Sequence, residues 1–122
     1  YILLRGKDAL VMLNTYPYNN GHLMVAPYKH VPDFDGLEDT ELAELIGLVK
    51  KSTQILKKAL NPEGFNIGAN VGKVAGAGVE GHIHIHIVPR WEGDTSFIST
   101  IGGTKIMPET LDETFSKLLS VI

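Results

Sequence analysis

The chain contains no cysteine. That removes a disulfide framework, a thiolate zinc site and a cysteine nucleophile. No apolar run approaches the roughly 20 residues of a membrane span, and no charged segment leads into an apolar one in the manner of a secretory signal. A cytoplasmic location with no membrane partner is the expectation. Positive charge is also scarce: 11 Lys+Arg face 14 Asp+Glu, for a net charge of −3. Such a chain has no broad field to attract nucleic acid, so an anionic ligand needs a local site. Repeats, low-complexity tracts and linkers are absent. A length of 122 residues fits one domain spanning 1–122, large enough to bury a core without a staple. The chain opens on Tyr1 rather than methionine, which leaves room for an upstream segment.

What is present reads as short strands around one long helix. Tyr1–Arg5 and Ala9–Leu13 are β-type runs joined by Gly6-Lys7-Asp8, a hairpin composition. Asn14–Gly21 is rich in turn residues, and His22–Ala26 is a strand stopped by Pro27. A helix follows. Asp39 is placed to cap it, Leu42, Leu45, Ile46, Val49, Leu56, Ala59 and Leu60 form one stripe, and Asn61-Pro62 ends it. Phe65–Val71 is a strand, Gly72–Gly81 is too glycine-rich for either element, and His82–Val88 is a strand ended by Pro89. Trp91–Gly103 is irregular. Pro108–Leu119 is a terminal helix with Leu111, Phe115, Leu118 and Leu119 on one face. Strands do not alternate with helices, so the fold class is α+β: an antiparallel sheet of about five strands, one long helix packed on it, and a shorter C-terminal helix.

Three of the five histidines lie within five residues, in His82-Ile83-His84-Ile85-His86-Ile87-Val88. Alternation in a strand puts the histidines on one face and the isoleucines on the other. Three aligned imidazoles bury poorly when unpaired and repel when charged, so a functional face is the better reading. Two chemistries fit. One is a metal site, with His22, Glu92 or Asp94 as added ligands. Three strand residues at i, i+2 and i+4 span about 13 Å, so only two of them reach one ion held at about 2 Å. The other is nucleophilic catalysis by a neutral imidazole on phosphorus, with its neighbours orienting it and donating to phosphate oxygens.

The His82–Val88 pattern resembles that of the histidine-triad (HIT) nucleotide hydrolases and transferases. Gly21-His22-Leu23-Met24-Val25-Ala26-Pro27 is similar to the strand that brings a fourth histidine to the triad. Asn14 matches a ribose-contacting position, and Asn66–Gly72 resembles the segment carrying an amide to the α-phosphate, here Asn70. The resemblance runs from about Asp8 to Phe97. Pro89-Arg90-Trp91-Glu92-Gly93-Asp94-Thr95-Ser96-Phe97 resembles the branch of diadenosine tetraphosphate phosphorylases and ATP adenylyltransferases more than the phosphoramidase branch. Two positions depart from the pattern. Ser96 stands where this branch has Asn. Gly78 and Val79 lack the hydroxyl or amide of better-known branches, so backbone N–H groups of the Gly76–Gly78 loop are expected in their place. The cysteine pair that often binds zinc upstream in the family has no counterpart in the sequence.

The resemblance implies a homodimer cleaving nucleoside polyphosphates such as diadenosine tetraphosphate. His84 would be the nucleophile, His82 would orient it, and His22 would support His82. His86 and Asn70 would donate to phosphate oxygens, Asn14 would hold the ribose, and Gly76 and Gly78 would cradle phosphate. No cofactor or protein-bound metal is implied, although a divalent ion can accompany the nucleotide. Lys73 and Arg90 are weaker phosphate candidates, Trp91 is a candidate cover for the site or a subunit contact, and His30 reads as a surface residue. The competing readings are a nucleotide-binding protein without turnover and a metal-dependent hydrolase.

Overall fold

The computed structural model describes residues 1–77, 81–94 and 107–122. Gly78, Val79, Ser96 and Phe97 lie outside the described residues, as does much of the Trp91–Gly103 stretch.

Five strands form one antiparallel sheet: β1 (Ile2–Arg5), β2 (Ala9–Leu13), β3 (Leu23–Pro27), β4 (Gly64–Ala69) and β5 (Ile85–Arg90). Their spatial order is β1-β2-β3-β5-β4. The histidine-bearing β5 therefore sits inside the sheet, and β4 is an edge. One row of partners crosses the sheet as Met12–Met24–His86–Gly68. The opposite face carries Val11, Val25, Ile85, Leu13, Leu23 and Ile87, all buried. Helix α1 (Asp39–Leu60) covers that face with Leu45, Val49, Ile55 and Leu56, and Leu118 of helix α2 (Leu111–Leu119) completes the core. The expected α+β architecture is the observed one. Among the described residues, no helix is long and apolar enough to cross a membrane.

Several boundaries differ from expectation for local reasons. Strand β5 starts at Ile85, so His82, Ile83 and His84 precede it, yet burial still alternates through Ile83, Ile85 and Ile87. His22 likewise precedes β3. Strand β3 ends at Pro27, whereas β5 runs through Pro89 to Arg90 instead of stopping there. A residue's N–H and C=O leave a strand on the same side. The Pro89 carbonyl takes the Asn19 amide at 3.0 Å, on the side where β3 has stopped pairing after Ile87. The missing proline donor thus falls where no ladder bond is due.

Helix α1 is capped at Glu38, not Asp39, and the Glu41 carboxylate accepts from the Glu38 N–H at 2.7 Å. Asn61 ends it in the left-handed conformation, φ 48°, as its place before Pro62 suggests. The apolar stripe is shifted: Ile46 is 60% exposed, while Ser52 and Ile55 are buried. Ser52 is tolerated there because its hydroxyl donates to the Leu48 carbonyl at 2.7 Å. Helix α2 begins after Thr110, whose hydroxyl accepts from the Glu113 N–H, so Pro108 lies outside it and Leu119 faces solvent.

Gly21 fixes the entry into the site. Its φ is +75°, and a Cβ there would lie 2.6 Å from Leu60 Cδ1 and 3.0 Å from Leu56 Cδ2. Gly21→Ala combines a strained backbone with overpacking, so it is expected to cost roughly 2 kcal/mol. A urea titration checks this; an unchanged midpoint would mean that α1 yields freely at this point.

Candidate active site

His22, His82 and His84 are each held by a main-chain group, and His86 is held by the His22 ring; these contacts set the tautomers. The Tyr18 N–H donates to His22 Nδ1 at 3.1 Å, so neutral His22 carries its proton on Nε2. His22 Nε2 lies 2.8 Å from His86 Nδ1. His86 therefore accepts there and keeps its own proton on Nε2 as a donor. His84 Nδ1 lies 3.0 Å from the His82 carbonyl. A carbonyl only accepts, so the His84 proton is on Nδ1 and its Nε2 lone pair is free. His82 Nε2 lies 2.7 Å from the Pro27 carbonyl and is a donor by the same logic.

Burial favours the neutral form of His22 and His86. His22 is 1% exposed, and its pKa is pushed down to about 4, by burial first and then by His86 and His84. Burial, and then His84, also lowers His86. The Tyr18 ring covers both, with centroids 4.6 Å from His22 and 5.8 Å from His86. His84 and His86 meet edge to face at 4.7 Å.

Two partner assignments read from the sequence change. His22 meets His86, not His82. His30 is exposed, as a surface residue should be, but its ring is a neighbour of His82, with the two Nδ1 atoms 3.2 Å apart. Asn14 is buried: its carbonyl accepts from the Tyr16 N–H and its amide nitrogen lies 3.4–3.5 Å from the His22 ring nitrogens. The Asn70 amide donates to the Gly76 carbonyl at 3.3 Å, which brings two expected site residues together. The Gly76 N–H, however, donates to the Lys73 carbonyl, and the Ala77 N–H to Gly72. These two donors serve the loop's own turn, contrary to the expectation that the Gly76 amide is free for phosphate.

The histidine face opens into three hollows. An apolar one of about 200 Å³ is lined by Met12, Met24, Ala26, His82 and His84. A second, also about 200 Å³, takes Asn70, Lys73, Gly81 and His82 among its walls. A third and larger one, about 510 Å³, lies beside His86 and includes Tyr18, Asn19, Asn66, Gly68 and Asn70. Gly68 opposes His86 without a side chain, and a Cβ there would meet nothing within 4 Å. This leaves the third hollow open. Arg90 is committed to a forked pair with Asp94 (2.7 and 3.0 Å) and to the Asn66 side-chain Oδ1 at 2.6 Å. Arg90, a weaker phosphate candidate by sequence, is thus seen paired with a carboxylate. Among the described residues, no three His, Cys, Asp or Glu side chains group to hold a metal ion.

Tyr18 and Asn19 escaped the sequence reading, and Asp94 figured in it only as a possible metal ligand and as part of the Pro89–Phe97 pattern. Asn19 is buried and bridges the Pro89 carbonyl and Asp94. The sequence offered only a Tyr-Pro-Tyr-Asn-Asn loop ahead of His22, which marks a turn and not its partners.

The HIT domain family matches residues 1–93. The chain belongs to the HIT family. It is 46% identical over 113 residues to a Mycobacterium tuberculosis protein named AP-4-A phosphorylase, covering 93% of this chain and 58% of that protein. It is 35% identical over 95 residues to a Schizosaccharomyces pombe asymmetrical bis(5'-nucleosyl)-tetraphosphatase, covering 78% of this chain and 52% of that protein. The chain thus spans a little over half the length of either relative. Among solved structures, a hypothetical histidine triad nucleotide-binding protein from Sulfolobus tokodaii is 31% identical with a TM-score of 0.77, covering 99% of this chain and 79% of that one.

Proposed function

We propose that this HIT domain is an enzyme cleaving dinucleoside polyphosphates at the α-phosphate through a nucleotidyl-His84 intermediate. The observation that carries this reading is the His84 ring, turned by its Nδ1 contact to the His82 carbonyl so that Nε2 has no partner among the described residues, edge to face with His86. The His84 lone pair attacks the α-phosphorus, a P–N bond forms, and the bond from that phosphorus to the bridging oxygen breaks. The distal nucleotide leaves with that oxygen. His86 donates to a phosphate oxygen as charge develops. Phosphate or water then attacks the same phosphorus, and the P–N electrons return to His84. The apolar hollow of Met12, Met24 and Ala26 suits a base, and Lys73 and Asn70 beside His82 suit phosphate oxygens.

The relatives' names favour diadenosine tetraphosphate, and the more similar of the two favours phosphate as acceptor. Product analysis in phosphate buffer is expected to give ADP plus ATP. AMP plus ATP would instead make water the acceptor. No turnover would leave a binding protein, and loss of activity with a chelator that spares free nucleotide would point to a metal-dependent hydrolase.

The same reading includes a homodimer. Edge strand β4 exposes Ile67, followed by exposed Val71, and α1 exposes Ile46. Unpaired edges of this kind favour pairing with a second copy. Light scattering at micromolar concentration is expected to give twice the chain mass.

A further inference from the structure

His30 lies outside the set of residues that the triad pattern marks, and it is exposed. Three observations tie it to the nucleophile. First, the ladder between β3 and β5 ends at Val25 opposite Ile85. His82, Ile83 and His84 lie just before it, so the nucleophile sits on a segment with no β3 ladder to hold it. Second, the segment after β3 supplies the missing support. The Pro27 carbonyl takes the His82 ring at 2.7 Å, the Val31 carbonyl takes the Ile83 N–H at 2.7 Å, and His30 Nδ1 meets His82 Nδ1 at 3.2 Å. Third, the His82 carbonyl is the group that holds the His84 proton on Nδ1.

With neutral rings the donor directions follow one from another. His82 gives its Nε2–H to a carbonyl, so neutral His82 has a lone pair on Nδ1. His30 must then donate its Nδ1–H to make the 3.2 Å contact. The contact leaves little slack around it: Gly81 has φ +78°, and a Cβ on it would lie 3.0 Å from His30 Nε2. The ring of His30 therefore packs against the turn that delivers His82.

We propose that His30 is a positioning residue for His84. By clamping the His82 ring it fixes the His82 main chain, whose carbonyl keeps His84 in the one tautomer with a free Nε2. It touches neither substrate nor the reacting atoms. The inference rests on the proposed role of His84 as nucleophile.

The test compares His30→Leu, which removes the donor, with His30→Asn, which keeps an N–H donor near the Nδ1 position. Because His30 is exposed, neither change opens a core cavity. Nitrogen-15 NMR of histidine reads the His84 tautomer directly and needs no substrate. Wild-type protein is expected to show His84 protonated on Nδ1 alone. His30→Leu is expected to show a mixture, with kcat on diadenosine tetraphosphate down roughly ten- to a hundredfold, the scale on which removing a group that orients a histidine acts. KM should move less than about twofold, since no nucleotide contact is lost. His30→Asn should restore most of both signals. A wild-type tautomer in His30→Leu overturns the proposal, as does an equal kcat loss in the Leu and Asn variants. If wild-type protein turns over no nucleotide, the proposed function fails, while the tautomer comparison still decides the role of His30.

Discussion

His84→Asn is expected to lower kcat on diadenosine tetraphosphate by roughly four orders of magnitude or more, the scale of removing a nucleophile from a coupled constellation. The amide preserves the hydrogen bond to the His82 carbonyl, because its N–H2 can stand where Nδ1–H stood. It has no lone-pair nitrogen to attack phosphorus. Nucleotide affinity should be nearly unchanged, because the hollow of Met12, Met24 and Ala26 and the Asn70 amide remain. An acid-quench experiment separates chemistry from binding. Wild-type protein mixed with labelled substrate should hold label through a bond that is cleaved in acid and resists base, as a P–N bond does, and the variant should hold none. Normal turnover by His84→Asn would overturn the nucleophile assignment.

The second large effect is on stability. His22 is neutral in the folded protein down to about pH 4, whereas its ordinary pKa is 6.5. Between these values the unfolded chain binds the proton and the folded one does not, so stability falls as pH falls. The contribution is fully present above about pH 6.5 and lost by about pH 4, amounting to about 3 kcal/mol. His86 shifts in the same direction. The groups against His22 are the Tyr18 ring and N–H, the Asn14 amide and the His86 ring. Glu109 shares a cavity wall with His22, but its carboxylate is tied to Thr114 and Lys117. A proton on His22 would therefore be held without a counter-charge. Urea midpoints at pH 7.0 and 4.5 should differ far more for wild type than for His22→Gln, which has nothing to titrate. Equal slopes would mean that His22 opens to solvent before it charges.

The sequence carried the faces of the sheet better than its neighbours. Ile83, Ile85 and Ile87 alternate with His82, His84 and His86, and that alternation survives even though regular pairing starts only at Ile85. Period two is a property of extended backbone, and extended backbone does not need a ladder. Helix α1 ended where Asn61 and Pro62 put it, because a left-handed Asn is a local decision. The pairing of His22 with His86 was not legible. It depends on the register Met24–His86 and on the turn that places His22 just before β3. The contact between His30 and His82 was not legible for a related reason. Exposure was read correctly, but the turn at Gly81 that brings His82 to it lies some fifty residues away in the chain. Ile46 looked like core by spacing, yet it is exposed, because the buried stripe of the helix runs through Leu45, Val49, Ser52 and Leu56.

Among the described residues, the protons of the triad are assigned by main-chain groups of Tyr18, Pro27 and His82, reaching His86 through the His22 ring, and not by acidic side chains. Portability suffers as a result. Copying His82–Val88 onto a strand of another sheet would transplant three imidazoles with undirected tautomers, and the graft would be chemically mute. The smallest transferable unit includes the Tyr18–Pro27 segment and the crossover at Val31, held at the right height by Gly21. Conversely, the side chains at Tyr18 and Pro27 are free to change, as far as proton placement is concerned, so long as the backbone path is kept. A designer seeking this chemistry would copy a path of main chain first and choose residues second.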